Sequence, residues 1–171
     1  MSSATPTPGA GDWESLARVA ARAGDEGEGA ELIRELLSFR LDDSPYAIPV
    51  ERVREIVRLR DVTRVPKVPE WVLGVVALRG EVVQVVDLRM RLGLPTNEFT
   101  RRSRIIVLHG DDDRITGVLV DAVDQVLRVS EEAFRLASST SDLAAVTELC
   151  LRDGDFISVV DLDRVLELRA D

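Results

Sequence analysis

The sequence predicts an all-β protein built as two small closed barrels in tandem, with short helices that include one at the C-terminus. From residue 32 onward, short apolar runs rich in Val and Ile alternate with turn-forming residues. Strands this short and this closely spaced favour small barrels over a parallel sheet. The second half of the region also resembles the first. Closure of each half would remove sheet edges that such apolar strands leave exposed.

Residues 1–31 are predicted to form a flexible tail ahead of a domain that spans residues 32–171. The tail contains TPTPGAG and GDEGEGAE, which have linker and turn compositions. Between these segments, Asp12 could cap a short helix that carries Trp13 on one face.

The first half, about residues 32–100, is predicted to contain five strands and one short helix. An acidic turn separates the first two strands, and a Pro-rich loop (VPKVPEW) follows the third. The fourth and fifth strands flank Arg79 and Gly80. The predicted segments are ELLSFRL, YAIPV, REIVRLR, LGVVAL and EVVQVV for the strands and DLRMRLGL for the helix, with Asp87 as its cap and Gly93 at its end.

The second half, about residues 101–171, repeats the pattern of the first. YAIPVERVREIVRL (residues 46–59) aligns without gaps to TGVLVDAVDQVLRV (residues 116–129), and VVDLRMRLGL (residues 85–94) is echoed by VVDLDRVLEL (residues 159–168). We interpret this as a tandem duplication, and leave open an exchange of strands between the halves. Two barrels that share an interface would bury apolar surface that neither half buries alone, with a groove between them.

The residue inventory points away from catalysis and towards a binding module. The chain has one histidine, His109, one cysteine, Cys150, and one lysine, Lys67. A single histidine excludes a multi-histidine metal site and disfavours a Ser-His-Asp triad. A single cysteine excludes an internal disulfide. His109 is predicted to end a strand, Cys150 to be a small buried apolar residue, and Asp111–Asp113 to form a hairpin tip. We expect no cofactor and no metal.

Charge is distributed unevenly along the chain. The net charge is −9, yet residues 51–104 sum to +5 and residues 105–171 to −9. The overall charge argues against nucleic acid or an anionic membrane as the main partner, and the asymmetry suits different partners on different faces. No apolar run approaches the ~20 residues that cross a bilayer, and the N-terminal residues do not form a secretory signal. We therefore expect a cytoplasmic protein without membrane insertion.

Several separated motifs, in order, resemble the CheW-type chemotaxis coupling proteins. GVVALRGEVVQVVDLR (residues 74–89) is similar to the family's signature segment, FRLDDSPYAIPVERVREIVRL to its first hairpin region and GVLVDAVDQVLRV to its second. The resemblance covers about residues 33–168. The chain departs from the usual pattern at Ala77, where the family has Asn, at Gln84, where it has Pro, and at Ala145, often Gly in the family.

The resemblance implies two five-stranded SH3-like barrels, no enzymatic activity and two protein partners. One partner would be the regulatory domain of a CheA-type histidine kinase. The other would be the cytoplasmic hairpin tip of a chemoreceptor (methyl-accepting chemotaxis protein), in membrane-anchored or cytosolic receptor arrays.

Matched position by position, the resemblance implies a receptor-binding groove between the barrels. Its apolar contacts would be Leu37, Val50, Val53, Ile56 and Val123, with Glu55 and Arg79 as nearby polar contacts. Gly80 would permit the turn that displays Arg79, whose guanidinium suits carboxylates or carbonyls of a receptor helix. The resemblance assigns no particular residues to the kinase surface.

Three alternatives to the coupling function remain at this point. The chain could be a CheW-like paralogue that binds only one of the two partners and regulates a separate motility or signalling pathway. It could be an RNA-binding barrel, although the acidic charge and the few aromatic residues disfavour this. An enzyme is limited by the inventory above. Arg79 could also simply pair with an acidic residue of its own fold, and Val50 and Val53 could be ordinary core.

Overall fold

A computed structural model describes residues 32–110, 114–137 and 145–166 of the chain. The predicted tail and Trp13, as well as the hairpin tip at Asp111–Asp113, lie outside these ranges. The described residues form the following elements, in chain order: β1 (Ile33–Leu41), β2 (Ser44–Pro49), a 3-10 turn (Val50–Arg52), β3 (Val53–Arg58), β4 (Val72–Leu78), β5 (Glu81–Asp87), α1 (Leu88–Arg91), β6 (Arg104–Leu108), β7 (Ile115–Val120), β8 (Ala122–Ser130), a second 3-10 turn (Glu131–Ala133), β9 (Phe134–Leu136), β10 (Val146–Arg152), β11 (Asp155–Val160) and α2 (Leu162–Val165).

The all-β class and the short helices are confirmed, but the strands are not divided into two closed five-stranded barrels. One sheet has six strands in the order β8-β1-β2-β11-β10-β9, and the other has five in the order β3-β6-β7-β5-β4. No ladder within the described residues joins the two end strands of either sheet. Each sheet takes strands from both sides of residue 100, because β3 pairs with β6 and β1 pairs with β8. The boundary at residue 100 therefore separates sequence repeats and not sheets.

Although the ladders do not close, each sheet curls around an apolar cluster of its own. Leu36 of β1, Leu127 of β8 and Cys150 of β10 belong to one cluster in the six-stranded sheet. In the same sheet, Arg34 of β1 forms two hydrogen bonds of 3.1 and 2.9 Å with the Glu148 carboxylate of β10, three strands further along. A flat sheet would keep these strands too far apart for such contacts, since neighbouring strands are spaced by about 4.8 Å. The barrel-like shape thus comes from curvature.

A third apolar cluster lies between the two sheets and joins them. Its buried members include Leu37 and Phe39 of β1, Ile106 of β6 and Val118 of β7, together with Leu162 of α2. Both helices start at aspartates, Asp87 and Asp161, whose side chains accept hydrogen bonds from backbone N–H groups of the first turn. The predicted cap at Asp87 is confirmed.

Strand pairing repeats between the halves in the same register. Ile48 pairs with Leu37 in the β1–β2 hairpin as Val118 pairs with Ile106 in the β6–β7 hairpin. The parallel ladders are also equivalent, because β2 pairs with β11 as β7 pairs with β5. Val53 and Val123 occupy matching ladder positions, opposite Leu108 and Phe39. This pairing is what a tandem duplication with strand exchange would produce.

Arg89 forms a buried polar network where the two sheets meet. Its side chain is only 2% exposed, and its guanidinium lies 3.2 Å from the Asp87 carboxylate and 3.1 Å from that of Asp121. It also donates to the Asn97 carbonyl at 2.8 Å and stacks on the Phe99 ring. Asp121 in turn accepts a hydrogen bond of 2.8 Å from the backbone N–H of Asp42, in the β1–β2 turn. The network therefore connects α1 and the loop after it to the hairpin of the other sheet.

Replacement of Arg89 is expected to destabilise the fold strongly. Arg89→Met keeps much of the side-chain volume but leaves the buried Asp87 carboxylate without its cation, which costs about 3 kcal/mol or more. The measurement is urea unfolding of Arg89→Met beside Arg60→Met, an exposed arginine whose loss should change the free energy of unfolding by about 0.5 kcal/mol or less. Equal stability of the two variants would contradict a structural role for the network.

The open edge of the five-stranded sheet is partly closed by one bridge, and Gly74 makes this bridge possible. Thr63 and Val75 exchange backbone hydrogen bonds of 2.9 and 2.8 Å. Gly74 has a φ of +145°, and a Cβ there would fall on the carbonyl oxygen of Thr63. Gly80 also has a positive φ, of +79°, but a Cβ there would meet open space.

Gly74→Ala is therefore expected to cost more stability than Gly80→Ala. Both variants are strained by a positive φ, worth about 1–2 kcal/mol, and only Gly74→Ala adds a backbone clash that displaces the Thr63 segment. Urea unfolding measures the difference. Hydrogen exchange at the Val75 amide should accelerate in Gly74→Ala alone, and the inference fails if Gly80→Ala is the less stable protein.

Candidate functional site

The candidate site is organised around β3 and a bulge near its start. In a regular strand Val53 and Glu55 would point to the same face. The β3–β6 register shifts between these two residues, so that Val53 pairs with Leu108 and Glu55 with Val107. An extra residue in one strand reverses the alternation after it. Val53 and Ile56 consequently share one face of β3, and Glu55 lies on the other.

The structure brings the apolar candidates together over the cluster between the sheets. Val53, Ile56 and Val123 are half-buried, and all three pack against that cluster. Val123 reaches it from β8, which has a bulge at the equivalent position, between its pairings with Ser38 and Phe39. Val50 is half-buried in the 3-10 turn just before β3 and belongs to none of the three clusters. Val53, Ile56 and Val123, from both halves of the chain, thus lie over the same cluster.

Leu37 does not fit the expected role of a groove contact. Its side chain is 0% exposed and lies within the cluster, where β1 runs between β2 and β8. A side chain without accessible surface cannot touch a partner. Leu37 can only pack beneath the residues that do. Sequence alone did not reveal this, because central and edge strands have similar apolar patterns.

The polar candidates form a separate pair at the β4–β5 turn. Arg79 has a φ of 51° and Gly80 one of 79°, so two successive positive values close this hairpin. The Arg79 side chain is 80% exposed, and its guanidinium lies 3.6 Å from Glu55 Oε2. The other carboxylate oxygen of Glu55, Oε1, is buried and has no hydrogen-bond partner. A second ion pair, Arg54 to Glu81 at 2.8 Å, also ties β3 to this hairpin.

The predicted residues therefore occupy two surfaces of β3 rather than one groove. Val53, Ile56 and Val123 lie over the inter-sheet cluster, whereas Glu55 and Arg79 lie on the side of the five-stranded sheet's own cluster, where Val57 also packs. Arg79 does pair with an acidic residue of its own fold, because its guanidinium lies 3.6 Å from the Glu55 carboxylate. Its high exposure leaves most of the guanidinium accessible as well.

Residues singled out for chemistry do not form a catalytic arrangement in the part of the chain described. His109 is exposed just after β6, and its backbone N–H donates to the Arg52 carbonyl at 2.9 Å. Cys150 is buried as predicted, and this burial raises the pKa of its thiol above the ordinary value. Within residues 32–110, 114–137 and 145–166 there is no His, Cys, Asp or Glu cluster suited to a metal ion. No helix among these residues is long and apolar enough to cross a membrane.

Two exposed apolar positions were missed by reasoning from the sequence. Val82 on β5 and Phe156 on β11 are both strongly exposed, at equivalent places in the hairpins β4–β5 and β10–β11. The sequences of these strands have the pattern of core strands, because apolar residues occupy both faces. Only the correspondence between the two repeats could have indicated that these positions share an environment.

Two curled sheets joined by an apolar cluster, with a half-exposed apolar surface above it, define an SH3-like protein-binding module. A comparison with models of protein families is more specific. The model of the CheW-like domain matches residues 35–170 of this chain. The chain belongs to the CheW-like domain family.

Individual relatives support this assignment. The chain is 38% identical over 138 residues to the chemotaxis protein CheW of Rhizobium meliloti, a match that covers 77% of this chain and 86% of that protein. It is 34% identical over 134 residues to the chemotaxis protein CheW of Thermotoga maritima, covering 78% and 87%. Among solved structures, the scaffolding protein TtCheW from Thermoanaerobacter tengcongensis superposes with a TM-score of 0.75 at 26% identity, covering 82% of this chain and 97% of that one.

Burial of Cys150 predicts a thiol that reacts slowly in the folded protein. Its raised pKa lowers the thiolate fraction at a given pH, and the surrounding cluster excludes the reagent. At pH 8, alkylation by iodoacetamide should be at least about tenfold slower in the native protein than in urea, measured by mass spectrometry. Rapid native labelling would show that the β10 segment opens or that the thiol is accessible.

Proposed function

We propose that the chain is a non-enzymatic chemosensory adaptor that couples the cytoplasmic hairpin tip of a chemoreceptor to the regulatory domain of a CheA-type histidine kinase. The proposal is supported by membership of the CheW-like family, by relatives named chemotaxis protein CheW, and by a structural neighbour described as a scaffolding protein. Such an adaptor works in the cytoplasm, beside membrane-anchored or cytosolic receptors. It needs binding surfaces and no catalytic group.

The receptor surface is proposed to consist of Val50, Val53, Ile56 and Val123, with Leu37 beneath them. The observation that carries this assignment is that three half-buried members, from β3 and β8, rest on one buried cluster. A surface built on a packed core is already rigid, so a receptor helix that binds it incurs little cost of ordering side chains. An amphipathic helix recognises such a surface by burying its own apolar stripe there.

Arg79 is proposed to contact the receptor from the neighbouring surface, on the other side of β3. Its ion pair with Glu55 is mostly solvent-exposed on the arginine side, so the pair contributes little to stability. It does restrict where the guanidinium points, and a guanidinium held in one place suits a carboxylate or carbonyl of a partner helix. Arg79 is therefore assigned to orientation and specificity of the contact, and the valines to its affinity.

Acidic substitutions in the apolar surface test the proposal. Val123→Glu should weaken binding to receptor-tip fragments by at least about tenfold, because a carboxylate would be desolvated against the inter-sheet cluster. Val53→Glu should have the same effect. Binding is measured by co-sedimentation with receptor-bearing vesicles, and thermal unfolding shows whether each variant is folded.

The matched control is Leu136→Glu, which introduces the same charge at an apolar position that is 87% exposed and lies on β9. This variant should bind receptor as the parent protein does. Kinase added to the same vesicles should sediment only when the adaptor is present. Kinase that stays in solution would favour the paralogue that binds one partner, whereas receptor binding unchanged in folded Val53→Glu and Val123→Glu would refute the proposed surface.

A further inference from the structure

Two arginines face each other across β3 and β6. Arg58 and Arg104 are directly paired in the antiparallel ladder, so their side chains project from the same face of the sheet. Arg104 donates to the carbonyls of Arg101 and Ser103, at 2.7 and 2.9 Å. Neither Arg58 nor Arg104 forms an ion pair with any residue in the described ranges. Like charges directly opposite each other destabilise a sheet.

The six-stranded sheet carries opposite charges at the equivalent ladder position. There the equivalent pairing, between β1 and β8, joins Glu35 to Arg128. These two side chains have opposite charges and form an ion pair at 3.8 Å. The same ladder position thus carries a complementary pair in one sheet and a repulsive pair in the other.

More arginines surround the repulsive pair. The turn before β6 is held by hydrogen bonds between Thr100 and Ser103, one from backbone to backbone at 3.1 Å and one to the buried Ser103 hydroxyl at 2.9 Å. This turn displays two exposed arginines, and a further exposed arginine follows β3. We call the resulting set the arginine surface: Arg58, Arg60, Arg101, Arg102 and Arg104. None of its members forms an ion pair within the described part of the chain.

We propose that the arginine surface is a docking site for an acidic segment of a partner protein. Such a segment would relieve the repulsion between Arg58 and Arg104 and accept the forked hydrogen bonds that guanidinium groups offer to carboxylates. The site goes beyond the coupling function above, because it lies at the far end of β3 from Val53 and Arg79. The net charge of −9 selects a short acidic segment over an extended polyanion, since an anionic membrane or a nucleic acid would be repelled by the rest of the protein.

The test uses a fluorescein-labelled oligoglutamate peptide and the full-length protein at low and near-physiological salt. The parent protein should bind the peptide with an affinity that falls as salt rises. Arg58→Glu should weaken binding by about tenfold or more, because it removes one guanidinium and adds a repelling charge. It should also raise the thermal midpoint by about 2–5 °C, since the repulsive pair becomes a complementary one like that of the other sheet.

Opposite shifts of affinity and stability distinguish a binding site from a structural defect. Arg128→Glu is the matched control, as it makes the same charge change at the equivalent position and should leave peptide affinity unchanged. The proposal is overturned if Arg58→Glu binds the peptide as well as the parent, or if it loses binding together with a lowered thermal midpoint. It is also overturned if phosphatidylserine vesicles or a single-stranded RNA bind the surface and the peptide does not.

Discussion

The buried guanidinium of Arg89 is the interaction on which the mutual arrangement of the two sheets depends. A guanidinium withdrawn from water must be compensated by nearby charge, and Asp87 and Asp121 supply it from two elements. Asp121 also accepts a hydrogen bond from the β1–β2 turn of the other sheet. Apolar burial is non-directional, whereas these hydrogen bonds and ion pairs require particular distances and angles. The polar contacts therefore specify the position of α1 against that hairpin, and apolar burial stabilises the contact between the sheets.

The bulge in β3 is the second constraint, and it determines which side chains can act together. One extra residue turns Val53 and Ile56 towards the inter-sheet cluster and Glu55 towards the β4–β5 turn. A bulge at the equivalent place in β8 does the same for Val123 and Val126. In both sheets the bulge thus adds half-buried apolar residues to the surface above the inter-sheet cluster.

The two repeats share the same backbone arrangement, but some matching positions carry side chains of opposite charge. Arg89 pairs with Asp121 at a buried site, whereas the residue at its matching position, Asp163, pairs with Arg52 at an exposed one. Glu35 faces Arg128 in one sheet, and Arg104 faces Arg58 in the other. Since ladder register constrains backbone geometry and not side-chain charge, such positions are free to change without loss of the fold. This freedom allows a symmetric scaffold to carry surfaces of different charge.

The sequence alone was enough to predict the all-β class, the position of most strands, the cap at Asp87, the burial of Cys150 and the family. Each of these features depends on local patterns or on the order of motifs. The gathering of Val53, Ile56 and Val123 could also be anticipated from the resemblance. Strand exchange, the bulge between Val53 and Glu55, the complete burial of Leu37 and the burial of Arg89 were decided only in the tertiary structure. Each of these depends on which strands become neighbours, and residues distant along the chain determine that through the apolar surface they bury together.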